Sequence, residues 1–337
     1  EMTRWSITND PTPPVIVTCA AAKFYFAGPT CLVAVPDLTG EVVATDNCDP
    51  SPVVTQSPLA GTLVGEGVTT VTLTVTDAGS NTANCTADIT VTDITAPTYT
   101  APADITIYRD ATCAYDASVS ASGDVTDEAD NCGVGDATFV DVVDASNPCS
   151  VVITRTWSLA DDVGNTAADQ VQTITVEDNT GPTFTAPADL TINCDQDETD
   201  LLLTGDVTDE ADNCDAAIGE ATYSDVPDAT DPCSVEITRT WSLTDACGNT
   251  TTHDQIITVV DVTGPTFTAP ADLTINCDQD ETDLLLTGDV TDEADNCDAA
   301  IGEATYSDVP DATDPCSVEI TRTWSLTDAC GNTTTHD

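Results

Sequence analysis

The feature that most constrains this chain is an exact internal repeat. Residues Thr180–Asp254 are identical to residues Thr263–Asp337, which lie 83 positions further along. A weaker copy runs from Ala103 to Pro182, and a more divergent one from Pro13 to Thr95. Four tandem units therefore account for nearly all of the 337 residues. Such periodicity predicts a linear array of similar small domains.

Within a unit, the residues alternate between two faces. Between Val235 and Thr244 every second residue is apolar, apart from Arg239, and the intervening residues are polar. This period of two predicts a β-strand with one face on a core. A Gly248-Asn249 turn then leads into the apolar run Gln255–Asp261, so the two runs are expected to form a hairpin.

Three shorter strands are expected upstream in the same unit, at Asp189–Asn193, Leu201–Val207 and Glu220–Asp225. Many short strands, Pro-rich junctions and the absence of helical periodicity favour a sandwich of two sheets. The predicted fold class is all-β, with tandem immunoglobulin-like β-sandwich domains in a linear array.

The repeat also sets the expected domain boundaries. These are the tail of a preceding repeat at 1–11 and four immunoglobulin-like repeats at 12–95, 96–180, 181–263 and 264–337. The fourth repeat is expected to lack most of its last strand, because its TDACGNTTTHD is not followed by a counterpart of QIITVVD. We expect a window on a longer array. The alternative is a polymer in which Trp5–Asp10 of a neighbouring subunit fills the vacant strand position.

Charge and cysteine content exclude several classes of protein. The net charge is −54, from 60 acidic and six basic residues, which is incompatible with a nucleic-acid or anionic-membrane partner. No apolar run approaches the roughly 20 residues of a membrane span. Fifteen cysteines without a CxxC zinc spacing indicate disulfides and an oxidising, extracellular location.

Several motifs resemble a known family. TDxxGNT before a strand ending in VxD, then TxPTFTAPADLTI, and DNC after the second strand resemble HYR-type immunoglobulin-like repeats. The variants INCDQD, TDEADNC and ITRTWSLTDACGNTT are similar to tandem repeats of large bacterial surface adhesins, the SprB-like gliding-motility family secreted by the type IX system. The resemblance implies a stalk or filament segment at the bacterial cell surface. Its expected partners are further repeats of the same chain or identical subunits, with surface polysaccharide as a further candidate.

Strand geometry ranks the cysteine pairings of the third repeat. Cys233 and Cys247 sit at opposite ends of a strand about 30 Å long, too far for a bridge. If the chain enters each sandwich at one pole and leaves at the other, Cys194 and Cys233 share the exit pole, and Cys214 and Cys247 share the entry pole. We therefore expect Cys194–Cys233 and Cys214–Cys247, and in unit four Cys277–Cys316 and Cys297–Cys330.

The second repeat carries a different set of cysteines. It has Arg109 in place of a cysteine but gains Cys113, which is expected to pair with Cys149 and leave Cys132 unpaired. The competing interpretation pairs Cys132 with Cys149 and leaves Cys113 unpaired. The pairing of the first unit stays open among its four cysteines, Cys19, Cys31, Cys48 and Cys85.

Acidic residues are expected to gather at the entry poles. The candidates are Asp178, Asp209, Asp212 and Asp245 in unit three, and Asp261, Asp292, Glu293, Asp295 and Asp328 in unit four. Clustered carboxylate oxygens are ligands that Ca²⁺ prefers, so calcium is the expected cofactor. The alternative is a solvated acidic surface that keeps a filament soluble. A weaker candidate site comprises Asp195, Asp197, Glu198 and Asp200.

Catalysis is not expected. His253 and His336 are copies of one strand position with no nucleophile pattern beside them, so a catalytic role is disfavoured. Arg239 lies on the apolar face two residues from Trp241. It is expected to be a structural arginine that stacks beside the indole or pairs with an inward carboxylate. The alternative function is a carbohydrate-binding platform of exposed Trp and Arg.

Overall fold

The computed structural model describes residues 10–314 and 317–337. The chain forms two compact units. The first comprises the described residues up to Tyr108 together with Tyr115–Glu177, and the second comprises Arg109–Ala114 and Asp178–Asp337. No helix among the described residues is long and apolar enough to cross a membrane.

The first unit contains the sheets of the first two repeats. Its strands are β1 (Val15–Thr18), β2 (Lys23–Phe26), β3 (Val33–Ala34), β4 (Val43–Thr45), β5 (Val53–Ser57), β6 (Leu63–Val64), β7 (Gly67–Thr76), β8 (Thr82–Thr92), β9 (Thr98–Thr100), β10 (Ile105–Tyr108), β11 (Thr126–Ala129), β12 (Thr138–Asp144), β13 (Ser150–Ser158) and β14 (Gln170–Glu177). A 3₁₀ turn at Thr39–Glu41 and the one-turn helix α1 (Val119–Ser122) complete it.

The second compact unit contains the sheets of the third and fourth repeats. Its strands are β15 (Leu190–Asn193), β16 (Thr222–Asp228), β17 (Ser234–Thr244), β18 (Thr250–Val260), β19 (Thr305–Asp314), β20 (Ser317–Thr327) and β21 (Thr333–His336). Its short helices are α2 (Leu201–Thr204) and α3 (Leu284–Thr287).

One sheet topology recurs along the chain. The four-stranded sheets run in the orders β2-β8-β7-β5, β10-β14-β13-β12 and β15-β18-β17-β16. In each, a long antiparallel hairpin forms the centre, and the first strand pairs parallel with the last. The fourth repeat shows the order β19-β20-β21 among its described residues. The expected all-β class with tandem immunoglobulin-like domains is confirmed.

The strand predictions were confirmed at three places and wrong at one. The hairpin, the strand near Asp189–Asn193 and the strand near Glu220–Asp225 are present as β17–β18, β15 and β16. Leu201–Val207 was expected to be a strand, but it begins with helix α2. The Asp200 carboxylate accepts a hydrogen bond from the backbone N–H of Leu202 (2.9 Å) and thereby caps the helix.

Alternation along the hairpin strands builds the core of each sandwich. In the third repeat Trp241 and Leu243 pack with Phe184 and Val207, and Ile237 packs with other strand residues near the opposite pole. Trp157, Trp241 and Trp324 are 1%, 0% and 3% exposed. The tryptophan platform proposed for carbohydrate is therefore buried in the sandwiches.

Arg239 lies fully buried beside this core. Its guanidinium donates two hydrogen bonds of 2.8 Å to the Asp225 carboxylate, and it lies 4.0 Å from the centre of the Tyr223 ring. It also donates to the Thr204 hydroxyl and to the Glu198 carbonyl. The hydrogen bonds that Arg239 donates to Asp225 raise the pKa of Arg239 above its ordinary value. The expected structural arginine is confirmed, and Arg155 and Arg322 repeat it with Asp141 and Asp308.

Replacing the partner of Arg239 tests this pair. Asp225→Ala leaves a buried guanidinium without its counter-charge, and we expect the third repeat to lose about 3 kcal/mol of stability. Peptide-resolved hydrogen exchange should show faster exchange in β16 and β17. The control Glu236→Ala removes an exposed acid from β17, the strand that carries Arg239, and should change exchange little. Equal effects of the two substitutions would contradict the assignment.

Two predictions stay open. The domain boundaries are not tested by these observations. The proposed strand donor Trp5–Asp10 lies outside the described residues, except for Asp10.

Candidate metal centres and the disulfide network

The Gly-Asn hairpin turn folds around its own aspartate. In the second repeat Asp161 Oδ1 accepts hydrogen bonds from the backbone N–H of Val163 (3.0 Å) and Asn165 (2.7 Å), and Oδ2 accepts one from Asn165 Nδ2 (2.6 Å). Gly164, at φ +95°, supplies the left-handed residue that the turn requires. Asn165 Nδ2 also donates to the backbone carbonyl of Asp93 (3.3 Å), which ties the turn to the segment entering the repeat.

The DNC motif supplies a second aspartate to the same place. Asp130 Oδ2 accepts a hydrogen bond from the backbone N–H of Cys132 (2.7 Å), whereas its buried Oδ1 has no hydrogen-bond partner. The intervening Asn131 donates from Nδ2 to Asp93 Oδ1 (3.2 Å), and its own buried Oδ1 is also without a partner. The motif thus holds two unpartnered oxygens in a loop that is hydrogen-bonded to Asp93.

Asp93, Asp130 and Asp161 form a cluster of three carboxylates. One oxygen of each lies within 4.8 Å of the others. Asp93 is only 3% exposed, and its Oδ2 has no partner. Buried polar atoms are normally hydrogen-bonded, so the unpartnered Oδ2 of Asp93 and Oδ1 of Asp130 are available as ligands for a cation. Equivalent clusters are Asp10, Asp46 and Asp77, and Asp178, Asp212 and Asp245.

Hydrogen bonds favour the ionised forms of two of these carboxylates, Asp93 and Asp161. The backbone N–H of Thr95 lowers the pKa of Asp93, assisted by the Asn131 side chain. Burial acts to raise the pKa of Asp161, but the hydrogen bonds from Asn165, Val163 and Gly164 outweigh it and lower the pKa. The cluster therefore concentrates negative charge that a cation would neutralise.

The donor set suits a hard divalent ion. The three carboxylates offer oxygen only, which suits Ca²⁺ better than Zn²⁺. Calcium takes six to eight oxygens, so water would complete the shell. The residues present therefore fit the expected cofactor.

The fourth cluster is less complete. Asp261 and Asp328 lie together with Cys330, and Asp261 also lies near Cys194 and Cys297. All three cysteines are disulfide-bonded and offer no thiolate. Asp295, the counterpart of Asp212, has a buried Oδ2 without a partner.

The structure separates the predicted ligands into two groups. Asp178, Asp212 and Asp245 come together, as do Asp261 and Asp328. Asp209, Asp292 and Glu293 join none of the clusters found among the described residues, because each accepts a hydrogen bond from a backbone N–H elsewhere, those of Thr185, Thr268 and Ala304. The weaker candidate group Asp195, Asp197, Glu198 and Asp200 also forms no such cluster in the described part of the chain.

Sequence reasoning missed the clusters of the first two repeats. The signal was present, since Asp93, Asp130 and Asp161 occupy the repeat positions of Asp178, Asp212 and Asp245. The DNC motif is identical in the two repeats, and VTD and DDVGN differ from VED and DACGN only at residues beside the equivalent aspartates.

The structure overturns the expected disulfide pairing. Cys194 bonds to Cys297, Cys233 bonds to Cys330, and Cys214 bonds to Cys113. The predicted pairs Cys194–Cys233, Cys214–Cys247, Cys297–Cys330 and Cys113–Cys149 are therefore wrong. Cys149 and Cys247 are each disulfide-bonded. Cys316, and with it the expected Cys277–Cys316 bridge, lies outside the described residues.

The physical reason lies in the poles of the sandwich. The backbone N–H of Cys194 donates to Val260 (3.0 Å), and the backbone N–H of Asp261 donates to Cys233 (3.4 Å), so both cysteines flank the end of β18. They share the exit pole, as expected. The prediction failed because it assumed that each domain closes its own bridges, whereas exit cysteines bond to entry cysteines of the next repeat.

In the first compact unit, too, an exit cysteine bonds to an entry cysteine of the next repeat. Cys31 follows β2 and bonds to Cys132 in the DNC loop of the second repeat. Cys132 is thus neither unpaired nor bonded to Cys149. The pairing that stayed open for the first repeat also includes Cys19–Cys85, a bridge within one sandwich. Cys48 and Cys277 are free and exposed.

Comparisons with known families agree with the motifs. Residues 9–91 match the HYR domain, and residues 182–259 match the HYR-like domain with 4 cysteines. HYR and HYR-like domains are therefore detected in these two parts of the chain. No curated protein matches the sequence.

Solved structures of tandem β-domains share a weak similarity. Protocadherin gamma B2 extracellular cadherin domains 3–6 are 11% identical, with a TM-score of 0.34 and coverage of 96% of this chain and 98% of that chain. Mouse cadherin-23 EC22–24 is 13% identical, with a TM-score of 0.29 and coverage of 74% and 99%. Drosophila N-cadherin EC1–4 is 12% identical, with a TM-score of 0.24 and coverage of 94% and 97%. TM-scores this low say nothing about shared ligands.

The lowered pKa of Asp161 predicts a pH dependence. Because its folded-state pKa lies below the ordinary 3.8, its contribution to stability is present above that pH and is lost as the pH falls through the folded-state value. In chelator, Asp161→Asn should therefore destabilise the chain at pH 6 and much less at pH 3, as measured by urea unfolding. The exposed neighbour Asp162→Asn is the control for a surface substitution and should change stability little at pH 6. A pH-independent effect of Asp161→Asn would contradict the assignment.

Proposed function

We propose that this chain is a segment of a rigid extracellular stalk or filament, in which disulfides and calcium ions together fix consecutive repeats. The resemblance of its motifs to gliding-motility adhesins supports a place at the bacterial cell surface, as cargo of the type IX system. In this proposal the repeats carry an adhesive end and transmit force, and they catalyse no reaction.

The observation that carries the proposal is the direction of the disulfides. Cys31–Cys132 and Cys194–Cys297 each join the exit loop of one repeat to the entry loop of the next. A disulfide within a domain stabilises that domain, whereas a disulfide between domains removes freedom at their joint. The second kind is useful to a stalk and of little use to domains that act independently.

Calcium is the proposed second restraint on the joints. The cluster of Asp93, Asp130 and Asp161 combines the segment entering the second repeat with two of its loops. One divalent ion bound there would hold three chain segments together and offset their mutual repulsion. Because these oxygens lie beside the disulfide-bonded loops, the ion would act on the same joint.

The alternative of a carbohydrate-binding module lacks support from the site. Trp157, Trp241 and Trp324 are buried, and their neighbouring arginines are engaged with carboxylates and aromatic rings. The aromatic and cationic groups that would stack on a sugar are therefore used in the core.

Calcium binding can be tested directly on the oxidised full chain. Isothermal titration in metal-free buffer should show Ca²⁺ binding, and Asp130→Asn should weaken one site by more than tenfold, because it removes a charged ligand and keeps an acceptor for the Cys132 N–H. The matched control is Asp136→Asn, which changes an exposed acid in the same segment. Chelation with EDTA should also speed hydrogen exchange in peptides around Asp93 and Asp130. Absence of binding at millimolar Ca²⁺ would overturn the calcium proposal.

The free cysteines indicate the proposed partner, which is another repeat of the same type. Cys48 occupies the DNC position held by the bonded Cys132, Cys214 and Cys297, and Cys277 occupies the exit position held by the bonded Cys194. One is thus an unused entry cysteine and the other an unused exit cysteine. We infer that each bonds to its complement in an adjoining repeat, of the same chain or of a second copy.

Mixing two variants tests this complementarity. Cys48→Ser retains only the exit thiol of this pair, and Cys277→Ser retains only the entry thiol. In a glutathione redox buffer containing Ca²⁺, the mixture should form a disulfide-linked dimer in which mass spectrometry identifies the Cys277–Cys48 peptide. Each variant alone serves as the control and should dimerise much less. Homodimers as abundant as the mixed dimer would contradict the proposed pairing.

A further inference from the structure

We propose that cation binding and the inter-repeat disulfide are thermodynamically linked, so that the bound ion protects Cys31–Cys132 from reduction and the bridge tightens binding of the ion. This rests on the calcium sites proposed above and concerns their regulation. It makes the rigidity of the joint depend on the redox state and on the cation together.

The linkage follows from three consecutive residues of the DNC loop. Asp130 contributes to the carboxylate cluster, and its other oxygen accepts the hydrogen bond from the Cys132 N–H (2.7 Å). Cys132 is the residue bonded to Cys31. Asp130 and the bridged Cys132 are therefore separated by one residue and joined by one hydrogen bond. A displacement of one is transmitted to the other.

Asn131 closes the connection on the other side. Its Nδ2 lies 3.2 Å from Asp93 Oδ1 and 3.2 Å from the carbonyl oxygen of Gly28. That same carbonyl accepts a hydrogen bond from the Cys31 N–H (3.0 Å), so the turn that carries Cys31 meets the acid cluster through one side chain. The exit loop of the first repeat, the DNC loop and the cluster form one continuous network.

The buried Asp93 makes the coupling energetic as well as geometric. Its Oδ2 has no partner and the residue is 3% exposed, so the oxygen depends on an ion for compensation. Opening the bridge frees the DNC loop, and an ion that binds afterwards must order that loop again. We expect about a tenfold loss of affinity, within the range usual for coupled sites. Linkage requires the ion to favour the disulfide over the dithiol by the same factor.

The redox step is an exchange with an external dithiol. Reduced dithiothreitol transfers two electrons and two protons to the bridge. The Cys31–Cys132 bond breaks to give two thiols, and a cyclic disulfide forms in the dithiothreitol. No oxidant or reductant of the protein itself is required.

The test is a redox titration of the full chain with and without Ca²⁺. The chain is equilibrated at a series of ratios of reduced to oxidised dithiothreitol, the thiols are trapped with isotopic alkylating reagents, and each pair is quantified by mass spectrometry. With Ca²⁺, the midpoint for Cys31–Cys132 should move to about a tenfold higher ratio. Cys19–Cys85 lies in the same compact unit but in no acid cluster, so its midpoint should not move.

Two aspartate variants test whether the shift depends on the acid cluster. Asp130→Asn should abolish the shift at Cys31–Cys132, whereas Asp136→Asn should keep it. If Ca²⁺ binds the oxidised chain but the Cys31–Cys132 midpoint stays fixed, the linkage is wrong and the calcium sites stand. If Ca²⁺ does not bind the oxidised chain, both the calcium sites and the linkage fail. An equal shift of Cys19–Cys85 would show general stabilisation of the fold and would also overturn the linkage.

Discussion

The parallel pairing of the first and last strands of each sheet fixes where everything else lies. β2 pairs parallel with β8, and β15 with β18, so both strands of a pair end at the same pole. The cysteine that follows the first strand and the aspartate that follows the last strand therefore leave the sandwich side by side. One backbone pairing thus delivers a thiol and a carboxylate together to the joint with the next repeat.

Much of this could be predicted from the sequence, and the failures have a common cause. Period-two alternation and the Gly-Asn turn predicted the hairpin, and the position of Arg239 on the apolar face predicted its structural role. The poles of Cys194 and Cys233 were also predicted correctly. Their partners were not, because alternation describes one sandwich at a time and contains no information on which loops of successive sandwiches meet.

The acidic ligands show the same limit at a finer scale. Asp178, Asp212 and Asp245 were predicted to be ligands because they share a pole. Asp209 and Glu293 were predicted on the same grounds, but both accept backbone hydrogen bonds elsewhere. Asp209 accepts the Thr185 N–H, and Glu293 accepts the Ala304 N–H. Acidic residues only a few positions apart in one loop differ by the side on which the backbone presents them. That choice depends on turn geometry that composition does not reveal.

A peptide linker, a disulfide and an ion restrain different motions of a joint. The linker after Asp93 limits only how far apart two repeats can move. A second covalent connection through Cys31–Cys132 gives the joint two points of attachment and leaves rotation about the line between them. An ion held by Asp93, Asp130 and Asp161 would add further attachments between the linker and two loops of the second repeat. The ion would thereby restrict the rotation that the linker and the disulfide leave, so a rigid array needs both devices at the same joint.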